Sequence, residues 1–358
     1  MKKYFLLIAG LSLSAAVSAQ QIPDWQNKDL KTDNLFGIST HKAFDQLLKG
    51  KKSHPLIVAV IDAGVDTSHE DLKSVLWINH KKKTGDNGTY GWSYIGSSKG
   101  NVQFDNLELT RQVRQQQQKG DTTTAVYYKQ KAELDKKLAH DKRQLQGVNN
   151  FKNTLDSITR KIGKADPKLA DFKAYKPQGA AEIRITQTLI AVLSQEDNFA
   201  AFLKDQIDPT IEHYKSSLDY QLNVAYDPRA QYVGDNYLES KEHNYGSPDN
   251  NGPDPTHGTH VAGIIAAQQN NGIGIEGIAD NVKIMAIRAV PDGDERDKDI
   301  ANAIRYAADH GAKIINMSFG KPYSQDKAVV DEAVRYALKK DVLLIQAAGN
   351  DDRNIDTA

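Results

Sequence analysis

Six apolar residues in a row, Leu56 to Ile61, separate the polar stretch before them from Asp62. A run this short with no polar residue alternating through it predicts a strand buried on both faces. The Ala63-Gly64 pair then predicts a turn, which leaves Asp62 at the carboxyl end of that strand. From residue 252 onward the pattern changes period several times. A small-residue helix begins near His257, and is followed by the strand "NVKIMAIRAV" and the helix "DKDIANAIRYAADHG" closed by Gly311. The strand "KIINMS", the helix "SQDKAVVDEAVRYALKK" and the strand "VLLIQAA" complete the series. Ile300, Ala303, Ile304 and Ala307 share one helix face, and Val330, Ala333, Val334 and Ala337 share another. Strand and helix alternating at this spacing predict right-handed crossovers and a parallel α/β sheet.

Between these regions the texture is different. Residues 97–230 are polar, rich in Gln and Lys, and written largely in helical periods, as in "TTTAVYYKQKAELDKKLAHDKRQLQ" and "AAEIRITQTLIAVLSQEDNFAAFLKDQ". Asp166-Pro167 and Asp208-Pro209 each read as an N-cap followed by Pro at the first helical position. The expectation is a mainly helical insertion, built as antiparallel hairpins, that interrupts one α/β domain made of 20–96 and 231–358. The alternative is a disordered arm around the Gln115 to Gln118 run.

Charge and composition narrow the function classes. Lys plus Arg number 46 and Asp plus Glu number 46, so no net field points to nucleic acid or an anionic membrane as partner. Residues 1–19 start with Lys2 and Lys3, run apolar from Tyr4 to about Ala16, and end in small residues at Val17, Ser18 and Ala19. That order predicts an export signal cleaved after Ala19 and a periplasmic or extracellular product. No other segment is long and apolar enough to span a bilayer. The absence of cysteine excludes a disulfide framework.

Three residues at element ends then stand out for chemistry: Asp62 after the first strand, His257 at the start of the small-residue helix, and Asn350 after the last strand in "AAGN". Together with their surroundings, "VAVIDAGVDTSHEDL", "HGTHVAGIIAA", "KIINMSFG" and "AAGN" resemble, in order and texture, the motifs of the subtilisin-like serine peptidases. The resemblance covers about 35–95 and 235–358 and leaves out the helical region. It implies an α/β parallel-sheet catalytic domain that hydrolyses protein or peptide bonds through an acyl-enzyme. It further implies His257 as general base, Asp62 as its orienting partner, Asn350 as an oxyanion donor, and Ser318, Phe319 and Gly320 as a substrate-binding edge.

His260 lies three residues after His257. A zinc pair is the competing reading, but the metallopeptidase pattern spaces its histidines by four around a Glu, so His260 is expected to pack and hydrogen-bond beneath the site. Gly258 and Gly263 are expected to let the helix approach the sheet closely. The chemistry needs no cofactor. Asp71 and Asn271, the latter in "QNNGIGIEG", resemble a structural calcium site of some relatives, and Asn-Asn-Gly is equally an ordinary turn. The family's nucleophilic serine lies in a Gly-Thr-Ser segment, and no such segment occurs among the 358 residues. The expectation is therefore a chain that stops inside its catalytic domain and is inactive by itself. The rival reading from another class is an exported, noncatalytic binding protein on the same fold, using the insertion for recognition.

Overall fold

The computed structural model describes residues 22, 24–80, 89–350, 354 and 356. The expected export signal, 1–19, lies outside the described residues. Two compact units are present, one formed by Lys131–Leu222 and the other by Ile22–Gln130 with Asn223–Ala358. Compactness thus draws the helical unit more narrowly than the span 97–230 that periodicity suggests. Residues 97–130 and 223–230 pack with the sheet.

The sheet-bearing unit is built on five parallel strands: β1 (Leu56–Asp62), β2 (Gly91–Ser93), β3 (Val282–Arg288), β4 (Ile314–Met317) and β5 (Leu343–Gln346), in the order β2-β3-β1-β4-β5. β1 is central, pairing Leu56 to Val282 through Asp62 to Arg288 on one side and Val58 to Ile314 through Ile61 to Met317 on the other. β5 forms an edge on which Leu343 and Ile345 remain about half exposed. The longer helices lying wholly within this unit are α1 (Glu108–Lys119), α2 (Thr256–Ala266), α3 (Asp297–Asp309) and α4 (Lys327–Lys339).

Strand alternation decides which helix faces which residue. Ala59 and Ile61 join Met285, Ile287, Ile304, Ala307, Ala333 and Ala337 in the core on the α3 and α4 side. Val58 and Val60 join Leu72, Leu76, Ala262 and Ala266 on the α2 side. Successive strand side chains point to opposite faces, so Asp62 shares the α2 face with Val58 and Val60. Small residues at Ala262, Ala266, Ala303 and Ala307, all fully or almost fully buried, let α2 and α3 lie close on the sheet.

In the polar stretch "DGDERDKD" at the start of α3, Arg296, Asp297, Lys298 and Asp299 are all at most 5 % exposed. Arg296 binds Asp105 through two hydrogen bonds of 2.8 and 2.9 Å. Arg229 pairs with both Asp235 and Asp299, Lys298 with Asp235, and Lys321 with Asp297. Arg111 pairs with Glu108 and donates to the Glu295 carbonyl. Arg296, Asp297, Lys298 and Asp299 each meet an opposite charge, the condition under which such groups are tolerated inside a protein.

The helical unit contains most of a 38-residue helix, Ala125–Ile162, with Leu169–Ala174, Gly179–Leu193, Phe199–Phe202 and Asp208–Ser216. Leu155, Ile158, Phe172, Leu189, Leu193, Phe199 and Ile207 form its core, so this region is a packed body rather than a disordered arm. The two Asp-Pro signals behave differently from expectation. After Asp166-Pro167 the helix begins only at Leu169, because Asp171 reaches back to cap the Lys168 amide. Asp208 is no free N-cap either, since it continues a helical turn spanning Leu203–Ile207.

Candidate active site

β1 delivers Asp62 to the sheet's carboxyl edge and α2 delivers His257 one residue into its first turn. Open α/β sheets collect their chemistry at this edge. His257 Nδ1 lies 2.8 Å from Asp62 Oδ1, across 195 positions of sequence. A carboxylate accepts only, so Nδ1 carries the proton, and in the neutral ring Nε2 is left as the basic lone pair. Asp62 is 3 % exposed, whereas the His257 side chain is 61 % exposed. The carboxylate is fixed and shielded, and the imidazole it orients presents its other nitrogen to solvent.

One backbone amide helps hold the carboxylate. Asp62 Oδ1 also accepts from the Ala63 amide at 2.8 Å, while Oδ2 is buried with no partner among the described residues. Arg288, opposite Asp62 in the register, donates from Nε to the Ala63 carbonyl at 2.9 Å and from Nη2 to the Val102 carbonyl at 2.5 Å. Burial pushes its guanidinium down to about 10, with Asp249 working in the opposite direction. Sequence reasoning missed Arg288; a charge closing the carboxyl end of the mostly apolar strand "VKIMAIR" was the available signal.

The approach of α2 depends on Gly258. A Cβ there would stand 2.1 Å from the Gly64 carbonyl oxygen and 3.0 Å from Asp62 Cβ. Gly64, at φ +136°, would itself drive a Cβ to 2.1 Å from the Asn251 carbonyl. Gly258→Ala is therefore expected to destabilise the fold by about 1–3 kcal/mol, read by urea denaturation. It should also disturb the Nδ1 hydrogen bond, read from imidazole 15N shifts; an unchanged tautomer and stability would mean that the helix start has room to spare. Gly263 corrects the sequence reading, because a Cβ at that position meets nothing within 4 Å.

His260 also corrects it. The residue is exposed rather than packed beneath the site, because its position on α2 faces away from the sheet. Thr259 does the work expected of it: Oγ1 donates to the Pro255 carbonyl at 2.7 Å and accepts from the Asp66 amide at 2.8 Å, locking α2 to the turn after Asp62.

Ser318, Phe319 and Gly320 leave β4, and Asn350 follows β5, so parallel pairing brings both exits to the same sheet edge as Asp62. Asn316 Nδ2 donates to Ser318 Oγ at 2.8 Å, and Gln346 Nε2 donates to the Phe319 carbonyl. Asn350 is exposed. A Cβ on Gly320 would meet only Gln346 Nε2, at 3.6 Å, so no close approach explains this glycine. Beside His257 lies a recess of about 160 Å³ walled by Ala63, Gln103, Asp254, Val290 and Asp292. Asp254 is held below its usual range by hydrogen bonds from the Thr256 side chain and amide, so it faces this recess as a carboxylate, and Arg288 lines the recess as well. Asp71 and Asn271 also come together, Asn271 Nδ2 donating to Asp71 Oδ1 at 2.7 Å, while Asn271 Oδ1 accepts from the Ile273 amide.

A parallel α/β sheet whose central strand ends in a buried aspartate, oriented on a histidine at the start of a glycine-bearing helix, defines a class of hydrolase-like scaffold. Residues 53–358 match the family model described as the subtilase family, and the chain belongs to that family. It is 48 % identical over 95 residues to a thermophilic serine proteinase of Bacillus sp. (strain AK1), covering 26 % of this chain and 23 % of that protein. It is 43 % identical over 95 residues to thermitase of Thermoactinomyces vulgaris, covering 26 % of this chain and 33 % of thermitase. These matches span about a quarter to a third of the relatives' own length. Among solved structures, the epidermin leader peptide processing serine protease of Staphylococcus aureus aligns over 93 % of this chain and 44 % of that one, at 14 % identity and a TM-score of 0.38. No helix among the described residues is long and apolar enough to cross a membrane.

Proposed function

We propose that this chain is the triad-orienting part of an exported serine endopeptidase. His257 Nε2 removes the proton from a serine hydroxyl supplied by sequence outside these 358 residues. Attack on the peptide carbonyl, with His257 giving that proton to the departing amine, then yields an acyl-enzyme, and a water deprotonated in turn by His257 hydrolyses it, the proton returning to the serine. Asp62 keeps Nδ1 protonated and stabilises the imidazolium formed in each step. Asn350 donates its side-chain amide to the developing oxyanion, an interaction of a type worth about 10²–10³ in turnover in subtilisin. The substrate is an extended peptide lying along Ser318–Gly320. Structural calcium at Asp71 belongs to the same reading: the carboxylate supplies hard oxygen ligands, with Asn271 joining after its amide turns.

The observation that carries this reading is the 2.8 Å contact between His257 Nδ1 and Asp62 Oδ1 with the imidazole otherwise open. The test is a fluorophosphonate probe applied to protein expressed with the coding sequence continued past Ala358. One serine should be labelled, and peptide hydrolysis should disappear with labelling. Hydrolysis that survives complete labelling, or that a chelator removes without affecting the probe, would overturn it.

A further inference from the structure

Outside the Asp62–His257 pair, three side chains from separate stretches of the sheet-bearing unit converge on one point. His41 Nε2 lies 2.9 Å from Asp24 Oδ2 and 3.2 Å from Glu276 Oε2, and one ligand atom from each residue falls within 4.8 Å of the others. The outer oxygens are already held. Asp24 Oδ1 accepts from Asn27 Nδ2 and Gln26 Nε2, and Glu276 Oε1 accepts from the Asn270 amide. Each carboxylate therefore has one oxygen fixed by a neutral donor and the other aimed at the same nitrogen, the arrangement in which outer partners orient metal ligands.

The protein atoms alone leave this cluster under-satisfied. A single Nε2–H cannot be donated in full to two carboxylates. Beside it Asn27, 1 % exposed, donates Nδ2 to Asp24 and to the Glu276 carbonyl, while its Oδ1 has no partner among the described residues. A buried amide oxygen without a donor is costly, and here it belongs to a side chain lying against the cluster.

We propose that Asp24, His41 and Glu276 bind a divalent transition-metal ion of the zinc type through Asp24 Oδ2, His41 Nε2 and Glu276 Oε2, with water completing the coordination. One imidazole and two carboxylates suit such an ion better than calcium, which takes oxygen ligands, and two negative charges neutralise it. On binding, the proton leaves Nε2 and resides on Nδ1. Lys28 Nζ stands 3.5 Å from Nδ1, so its ammonium must turn away and therefore opposes binding. The ion would fasten the segment carrying Asp24 and His41 to the loop that follows α2. This site uses none of the groups assigned to hydrolysis, and its test needs no activity.

The experiment titrates the chelator-treated whole chain with zinc chloride in excess calcium chloride by calorimetry, and with cobalt(II) followed by its visible absorption. One saturable site is expected, with a melting temperature raised by a few degrees at saturation. His41→Ala and Glu276→Gln should each weaken binding by about tenfold or more. Lys28→Gln should strengthen it, and His140→Ala, an exposed histidine elsewhere, should leave it unchanged. Circular dichroism confirms that each variant folds, and Glu276→Gln with Lys28→Gln decides the matter if His41→Ala does not. Absence of a saturable site, equal affinity in the folded variants, or loss of binding with His257→Ala instead would overturn the proposal.

Discussion

Replacing His257 by Ala in the serine-bearing protein is expected to lower kcat by about 10⁶, and Asp62→Asn by about 10⁴, the scale set by single-residue removal in serine-peptidase triads. The two losses have different physical origins. On the proposed mechanism His257→Ala removes the proton acceptor itself, and because the side chain is 61 % exposed the substitution costs little packing. Asp62→Asn keeps the shape but turns an NH₂ toward Nδ1, so the imidazole adopts the other tautomer and Nε2 holds a proton where its lone pair is needed. Initial rates on a chromogenic peptide, with melting temperatures as a check on folding, separate these cases. A His257→Ala enzyme within tenfold of the unsubstituted one would place the base elsewhere.

The residues that meet in this pair were legible because each sits at an element boundary that local pattern defines. The apolar run of β1 stops at Asp62, and the small-residue helix starts beside His257. Strand parity then puts Asp62 on the same face as Val58 and Val60, toward α2. The parallel sheet was legible for the same reason, since short apolar runs and helical periods alternate from residue 252 onward. Tertiary support was not. Thr259, Arg288 and Gln103 act through backbone groups or walls supplied by residues far away in sequence, and no local period marks them. His260 illustrates the converse, a residue given a role by its neighbourhood in the chain that its side of the helix denies it. The compact helical unit was likewise recognisable as helical, while its limits at Lys131 and Leu222 depend on contacts that periodicity does not encode.

The burial of "DGDERDKD" could not be read locally, since its partners at Asp105, Arg229 and Lys321 come from other stretches of the chain, and that burial sets the second large effect. Arg296→Ala is expected to destabilise the protein by about 3–5 kcal/mol, because it leaves Asp105, itself 2 % exposed, buried next to fewer positive charges. Burial pushes the Asp105 carboxyl up, but Arg296 and Arg111 overcome that and hold it down to about 2. A carboxyl depressed on folding binds fewer protons in the folded chain than in the unfolded one, so its stabilisation is complete above the unfolded value of about 4. It is lost as pH falls from there to about 2, and the unsubstituted protein should lose stability through that window. In Arg296→Ala the Asp105 carboxyl moves upward, so part of the stability difference from the unsubstituted protein should already narrow as pH is lowered toward 4. The double variant Asp105→Asn/Arg296→Met removes both charges and should recover much of the loss, since a neutral pair has no buried charge to strand. Urea denaturation at neutral and acidic pH measures all three. If Arg296→Ala lies within about 1 kcal/mol of the unsubstituted protein, the Arg296–Asp105 pair is no structural anchor of the fold.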